Sequence, residues 1–163
     1  MLWQIIMHAP LWVWPLLLGL IALGIVQAQD RSVPGPIVLA LPVVMVAYSA
    51  YGLIATFGLD PRVLAAWCAG IVATIALNQS VFGIPHGVMR DPSHWRFLVR
   101  GSLLPLAVIM AIFWTRFVLG VLAGMSPATI AGPGVVIGIA FWLGLCGGFF
   151  PARTIRILGA RVA

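Results

Sequence analysis

Five long apolar runs, separated by short polar breaks rich in proline and glycine, organise the chain. The first predicts a helix over residues 10–27 and closes at Gln27-Ala28-Gln29-Asp30-Arg31. The turn cluster Ser32-Val33-Pro34-Gly35-Pro36 precedes a second helix over 37–57, in which Pro42 sits one turn in. Gly58-Leu59-Asp60-Pro61-Arg62 is a tight connection where Asp60 caps the next helix and Pro61 takes its first position. The third helix therefore covers 61–82 and ends through Asn78-Gln79-Ser80. Asp91-Pro92 repeats the cap-plus-proline signal and predicts a fourth helix over 92–124, with Arg96 and Arg100 on one face. Ser126-Pro127 gives the signal a third time, for a last helix over 127–150 disturbed near its start by Gly132-Pro133-Gly134. Residues 151–163 form a tail whose Arg153 and Arg156 suit a short amphipathic turn on a membrane surface.

A bilayer core about 30 Å thick needs roughly 20 apolar residues per helix, so 163 residues allow five or six crossings with short loops. Composition agrees: 63% of the 163 residues are hydrophobic and 7% are charged, too little polarity to coat a water-soluble surface. The expected fold is all-α, a polytopic membrane protein built as a bundle of about five transmembrane helices in a single domain. Val26-Gln27-Ala28 loosely resembles a signal-peptide cleavage site, yet residues 1–10 hold no arginine or lysine, so the first run is read as a retained helix.

Charge sets the orientation. All nine cations are arginines and the three acids are Asp30, Asp60 and Asp91. With five crossings, Arg62 and Arg116 fall on one side; Arg31, Arg90, Arg96, Arg100, Arg153, Arg156 and Arg161 fall on the other. Arginine-rich short loops stay in the cytoplasm, which places the N-terminus outside and the C-terminus inside. The net charge of +6 is carried by arginines scattered singly between apolar runs. It is assigned to phospholipid head groups and not to nucleic acid.

Few residues carry candidate chemistry. Arg116 lies inside an apolar run, where an arginine costs about 2.5–3.5 kcal/mol on insertion scales. It either snorkels to the interface or forms an anion or head-group site, with Asp60 as the nearest counter-ion on the same side. Asn78 and Gln79 are candidates for interhelical hydrogen bonds or for simple solvation of a helix end. Glycines four apart occur at Gly120 and Gly124, Gly134 and Gly138, and Gly144 and Gly148; such spacing lets helices approach closely in lipid. Cys68 and Cys146 are expected at depths about 15 Å apart and so unpaired, as small buried residues. His8, His86 and His94 fit no compact metal or haem motif. No catalytic constellation, metal site or cofactor box stands out, and no acid falls inside an apolar run.

The opening segment from Gln4 to Trp14, the stretch Arg100-Gly101-Ser102-Leu103-Leu104-Pro105-Leu106-Ala107 followed by Ile112-Phe113, the pair Arg116-Phe117, and Gly148-Phe149 with Arg153 resemble a family of small, mostly proteobacterial multi-pass inner-membrane proteins of unknown function. Arg100, Leu103 and Trp114 depart from the family's pattern. The resemblance implies a bacterial inner membrane and carries over no activity and no functional residues.

The expected function is that of a non-enzymatic membrane component without cofactor or metal. It would act through contacts with lipid, with a second copy or with another membrane protein. The alternative is a small-solute permease or channel assembled as an oligomer, which would need a polar face continuous across one helix.

Overall fold

The computed structural model describes residues 13–82, 89–91, 95–99 and 101–159. Among them are five long helices: α1 (Val13–Gln27), α2 (Gly35–Phe57), α3 (Pro61–Phe82), α4 (Leu104–Met125) and α6 (Pro133–Leu158), with the single-turn α5 (Pro127–Ile130) before the last. The helices α2, α3, α4 and α6 are long and apolar enough to cross a membrane. At 1.5 Å per residue the 23 residues of α2 extend about 35 Å, the thickness of a hydrocarbon core with a small margin. Outward-facing positions are apolar over most of this length: Val43, Tyr48 and Tyr51 on α2, Val72 and Leu77 on α3 and Val118 on α4 are all exposed.

The helix ends follow local chemistry. Gly58 takes φ 73°, a left-handed value that stops α2. Asp60 then accepts the backbone N–H of Arg62 at 2.8 Å, capping α3 as its sequence predicts.

The interior is the α2–α3–α6 layer, where Leu53, Val63, Trp67, Ala140 and Leu143 are buried together. Glycine makes this closeness possible. A Cβ on Gly144 would collide with the Trp67 carbonyl, one on Gly148 would come 2.8 Å from the Ile71 carbonyl, and one on Gly70 would strike the backbone at Phe141. Thr74 adds a hydrogen bond from its hydroxyl to the Leu145 carbonyl at 2.8 Å, and Trp67 Nε1 donates to Ser49 Oγ at 3.2 Å. On the other flank α1 lies along α4, with Gly24 against Leu106.

One end of the bundle carries a three-stranded antiparallel sheet, ordered β1–β3–β2: β1 (Arg31–Pro34), β3 (Arg96–Val99) and β2 (Met89–Asp91). Arg31 faces Val99 and Pro34 faces Arg96. Phe97 and Val99 point inward and form a second buried cluster with Val38 and Ile157, while Arg96 and Leu98 are exposed. Trp95, just before β3, has φ 44°, a strained value for a bulky residue. Its indole lies on Gly35, where a Cβ would come 2.6 Å from Cε2.

Three expectations are corrected. The fourth helix begins at Leu104 and not near 92, because Arg96-Phe97-Leu98-Val99 alternates outward and inward residues with the strand period of two; Arg96, expected on a helical face with Arg100, stands in this strand instead. The last helix does not run unbroken from 127: Ala131 and Gly132 separate one turn from α6. Nor does α6 end at 150. It continues through Pro151 to Leu158, held by buried Ala152 and Ile157, so residues 151–158 of the segment expected as a tail are helix. Cys68 is exposed and Cys146 buried, both unpaired.

Candidate functional site

Arg116 lies in the middle of α4 and reaches across to α2. Its Nη1 donates to the Gly52 carbonyl at 2.8 Å and to Thr56 Oγ1 at 3.4 Å; its Nη2 donates to the Ser49 carbonyl at 3.4 Å. Gly52 creates the seat, since a Cβ there would fall 2.7 Å from the guanidinium carbon. Thr56 in turn donates its hydroxyl to the same Gly52 carbonyl at 2.7 Å. Phe113, Trp114 and Phe117 pack edge-on and stacked beside the arginine on α4.

The expected partner is therefore replaced. Asp60 sits eight residues beyond Gly52, about 12 Å along a helix axis, and is engaged in capping α3. The guanidinium is held instead by carbonyl oxygens with lone pairs to spare after their helical bonds. Backbone acceptors have no side-chain signature, and Gly52 in mid-helix is the one sequence signal that could have located this seat.

Asn78 and Gln79, adjacent in sequence, part company in the fold. Asn78 is buried and its Oδ1 accepts from Arg156 Nη1 at 3.0 Å, an interhelical bond between α3 and α6. Gln79 is exposed. Arg156, expected on a surface turn, is thus a bundle residue.

The glycine pairs also divide. Gly144 and Gly148 are filled by α3. Gly120, Gly124, Gly134 and Gly138 have nothing within 4 Å of an added Cβ. A broad cavity of about 430 Å³ opens between α4 and α6 beneath α5, walled by apolar Trp114, Val118, Leu122, Ile130, Val135 and Ile139. Trp142 Nε1 bridges the same two helices by donating to Thr115 Oγ1 at 3.0 Å. Among the described residues no three His, Cys, Asp or Glu side chains gather as a metal site; His8, His86, His94, Arg100 and Arg161 lie outside the described residues.

A family model described as a family of unknown function (DUF6622) matches residues 1–163. No curated protein and no solved structure matches the chain.

Proposed function

The chain belongs along its whole length to this family of unknown function, and from that premise we propose that it is a multi-pass component of the bacterial plasma membrane, not an enzyme, that works through contacts with partner helices or lipid. One observation carries the reading: the hydrogen-bonded polar side chains within the helices form separate local groups and no continuous line. Arg116 ends on Gly52, Ser49 and Thr56; Asn78 ends on Arg156; Thr115 ends on Trp142. Between these groups the described helices present apolar residues, so no single face offers a solute a polar path from end to end. What the surface does offer is small and apolar: open glycines on α4 and on α6, and an apolar cavity between these two helices, the kind of features through which transmembrane helices associate.

Proteoliposome swelling with small neutral and charged solutes tests this. Permeation no faster than through protein-free vesicles is expected, together with a cross-link between copies or to a partner from Gly138→Cys in native membrane. Solute flux that saturates with concentration would overturn the reading in favour of an oligomeric permease.

A further inference from the structure

At the sheet-bearing end of the bundle, α1, β1, α2 and α6 enclose a second cavity of about 50 Å³. A single water needs about 10–15 Å³ of such space, so a phosphate-sized group fits. Among the described residues four polar side chains line it: Gln27, Arg31, Arg153 and Thr154, the last with its hydroxyl already given to the Val38 carbonyl. Gln27, the last residue of α1, is only 5% exposed, and its amide makes no hydrogen bond to any described residue. A buried amide without a partner is costly and uncommon in a native fold.

The two arginines share the deficiency. Neither guanidinium forms a hydrogen bond or an ion pair with a described residue, and both are partly buried. Among the described residues the charged neighbours of Arg153 are Arg31 and Arg156, both cations. Of the acidic side chains described, Asp30 accepts the Gly101 N–H at 2.6 Å and Asp60 caps α3. Thus two cations and an amide without a partner converge on one partly open cavity, and among the described residues no acidic side chain lines it.

The remaining walls select among anions. Ile37, Leu41 and Phe150 line the same cavity. Ile37 is also 55% exposed on the flank of α2, so the cationic end leads directly onto an apolar surface. A free inorganic ion would gain nothing from that surface, whereas an acyl chain would lie along it. We propose that the cavity between Gln27, Arg31 and Arg153 binds the phosphodiester of an anionic phospholipid, with the lipid's chains running along the Ile37 flank of α2. The arginines supply charge-assisted hydrogen bonds to the phosphate oxygens, and the Gln27 amide adds a further donor. The inference rests on the lipid-contact side of the function proposed above and names the lipid class.

The test uses the full chain, purified and stripped of lipid in neutral detergent. It is titrated separately with short-chain phosphatidylglycerol, short-chain phosphatidylcholine and inorganic phosphate, following the thermal midpoint and the lipid retained in native mass spectrometry. Phosphatidylglycerol is expected to raise the midpoint saturably, and the other two are not. Replacing both Arg31→Gln and Arg153→Gln should weaken phosphatidylglycerol binding at least about tenfold; Gln27→Leu should weaken it without changing charge, and Arg62→Gln should leave it intact. Equal binding of the two lipids, a shift fully reproduced by phosphate, or wild-type affinity in the double variant would each overturn the proposal. Should the double variant not fold, the contrast between the two lipids on the unaltered chain and the Gln27→Leu result still decide. Failure here with absent solute flux overturns the lipid site alone, whereas saturable flux overturns the wider reading whatever the lipid result.

Discussion

The Thr154 hydroxyl on α6 donates to the backbone carbonyl of Val38 on α2 at 3.1 Å, and Val38 is the residue whose carbonyl Pro42 leaves without its helical partner. Proline brings no N–H to the ladder, so its place inside α2 creates an orphan acceptor one turn earlier. A neighbouring helix then supplies the donor, which is how membrane bundles tolerate internal proline. Thr154→Val should lower stability in detergent by about 1–2 kcal/mol, and Thr154→Ser by much less. In a Pro42→Ala background, where the helix satisfies Val38 itself, the cost of Thr154→Val should largely vanish. Equal costs in both backgrounds, measured by thermal denaturation, would show that the threonine acts through packing.

The Arg116 seat predicts coupling of a different kind. Gly52→Val fills the space occupied by the guanidinium, and Arg116→Leu removes its occupant. Each alone should loosen α4 from α2, read as a lower thermal midpoint and faster proteolysis. The two together should cost clearly less than their sum, with an interaction energy in the range of about 0.5–3 kcal/mol. Strict additivity would mean that Arg116 simply extends to the interface.

Glycines of identical spacing should respond oppositely. Gly144→Leu and Gly148→Leu force side chains into the α3 backbone and should destabilise the bundle by at least about 1–3 kcal/mol. Gly120→Leu and Gly138→Leu meet open space and should leave the monomer's thermal midpoint nearly unchanged, while weakening any association made through that face. A large loss of monomer stability from Gly138→Leu would contradict the open-face assignment.

The arginine distribution yields an orientation that fusions can check. A C-terminal fluorescent protein that folds only in the cytoplasm should glow, and a C-terminal periplasmic phosphatase should be inactive. The opposite pair of results would place the sheet, with Arg31 and Arg96, outside.

Most of the helical framework was legible because apolar length and punctuation agree: α3 begins at Pro61, as Asp60-Pro61 specifies, and α2 and α3 end where the apolar runs end. The same punctuation misleads at Asp91-Pro92: Asp91 ends β2, and residues 96–99, within the expected helix, form β3. The four residues of β3 are too few for periodicity to outweigh it. Pro151 signals a stop in the sequence, but Phe150, Ala152 and Ile157 are buried, and that tertiary burial sustains the helix across a lost hydrogen bond. The site was less legible still. Spacing tells which glycines share a helix face and cannot tell which face another helix covers. Likewise, nothing in the residues around Arg116 marks carbonyl oxygens on α2 as its partners.

The small sheet also bears on how the chain can be threaded into the bilayer. Residues 31–34 pair with residues 96–99, so both must emerge on the same side of the membrane. The segment between them must therefore cross an even number of times, which α2 and α3 satisfy. Were the α1–α2 hairpin inserted upside down relative to the second half, the two strands would be separated by a hydrocarbon layer about 30 Å thick and could not meet. A molecule whose two halves insert in opposite senses is thus incompatible with this fold: the sheet ties them together, so each molecule inserts as one unit.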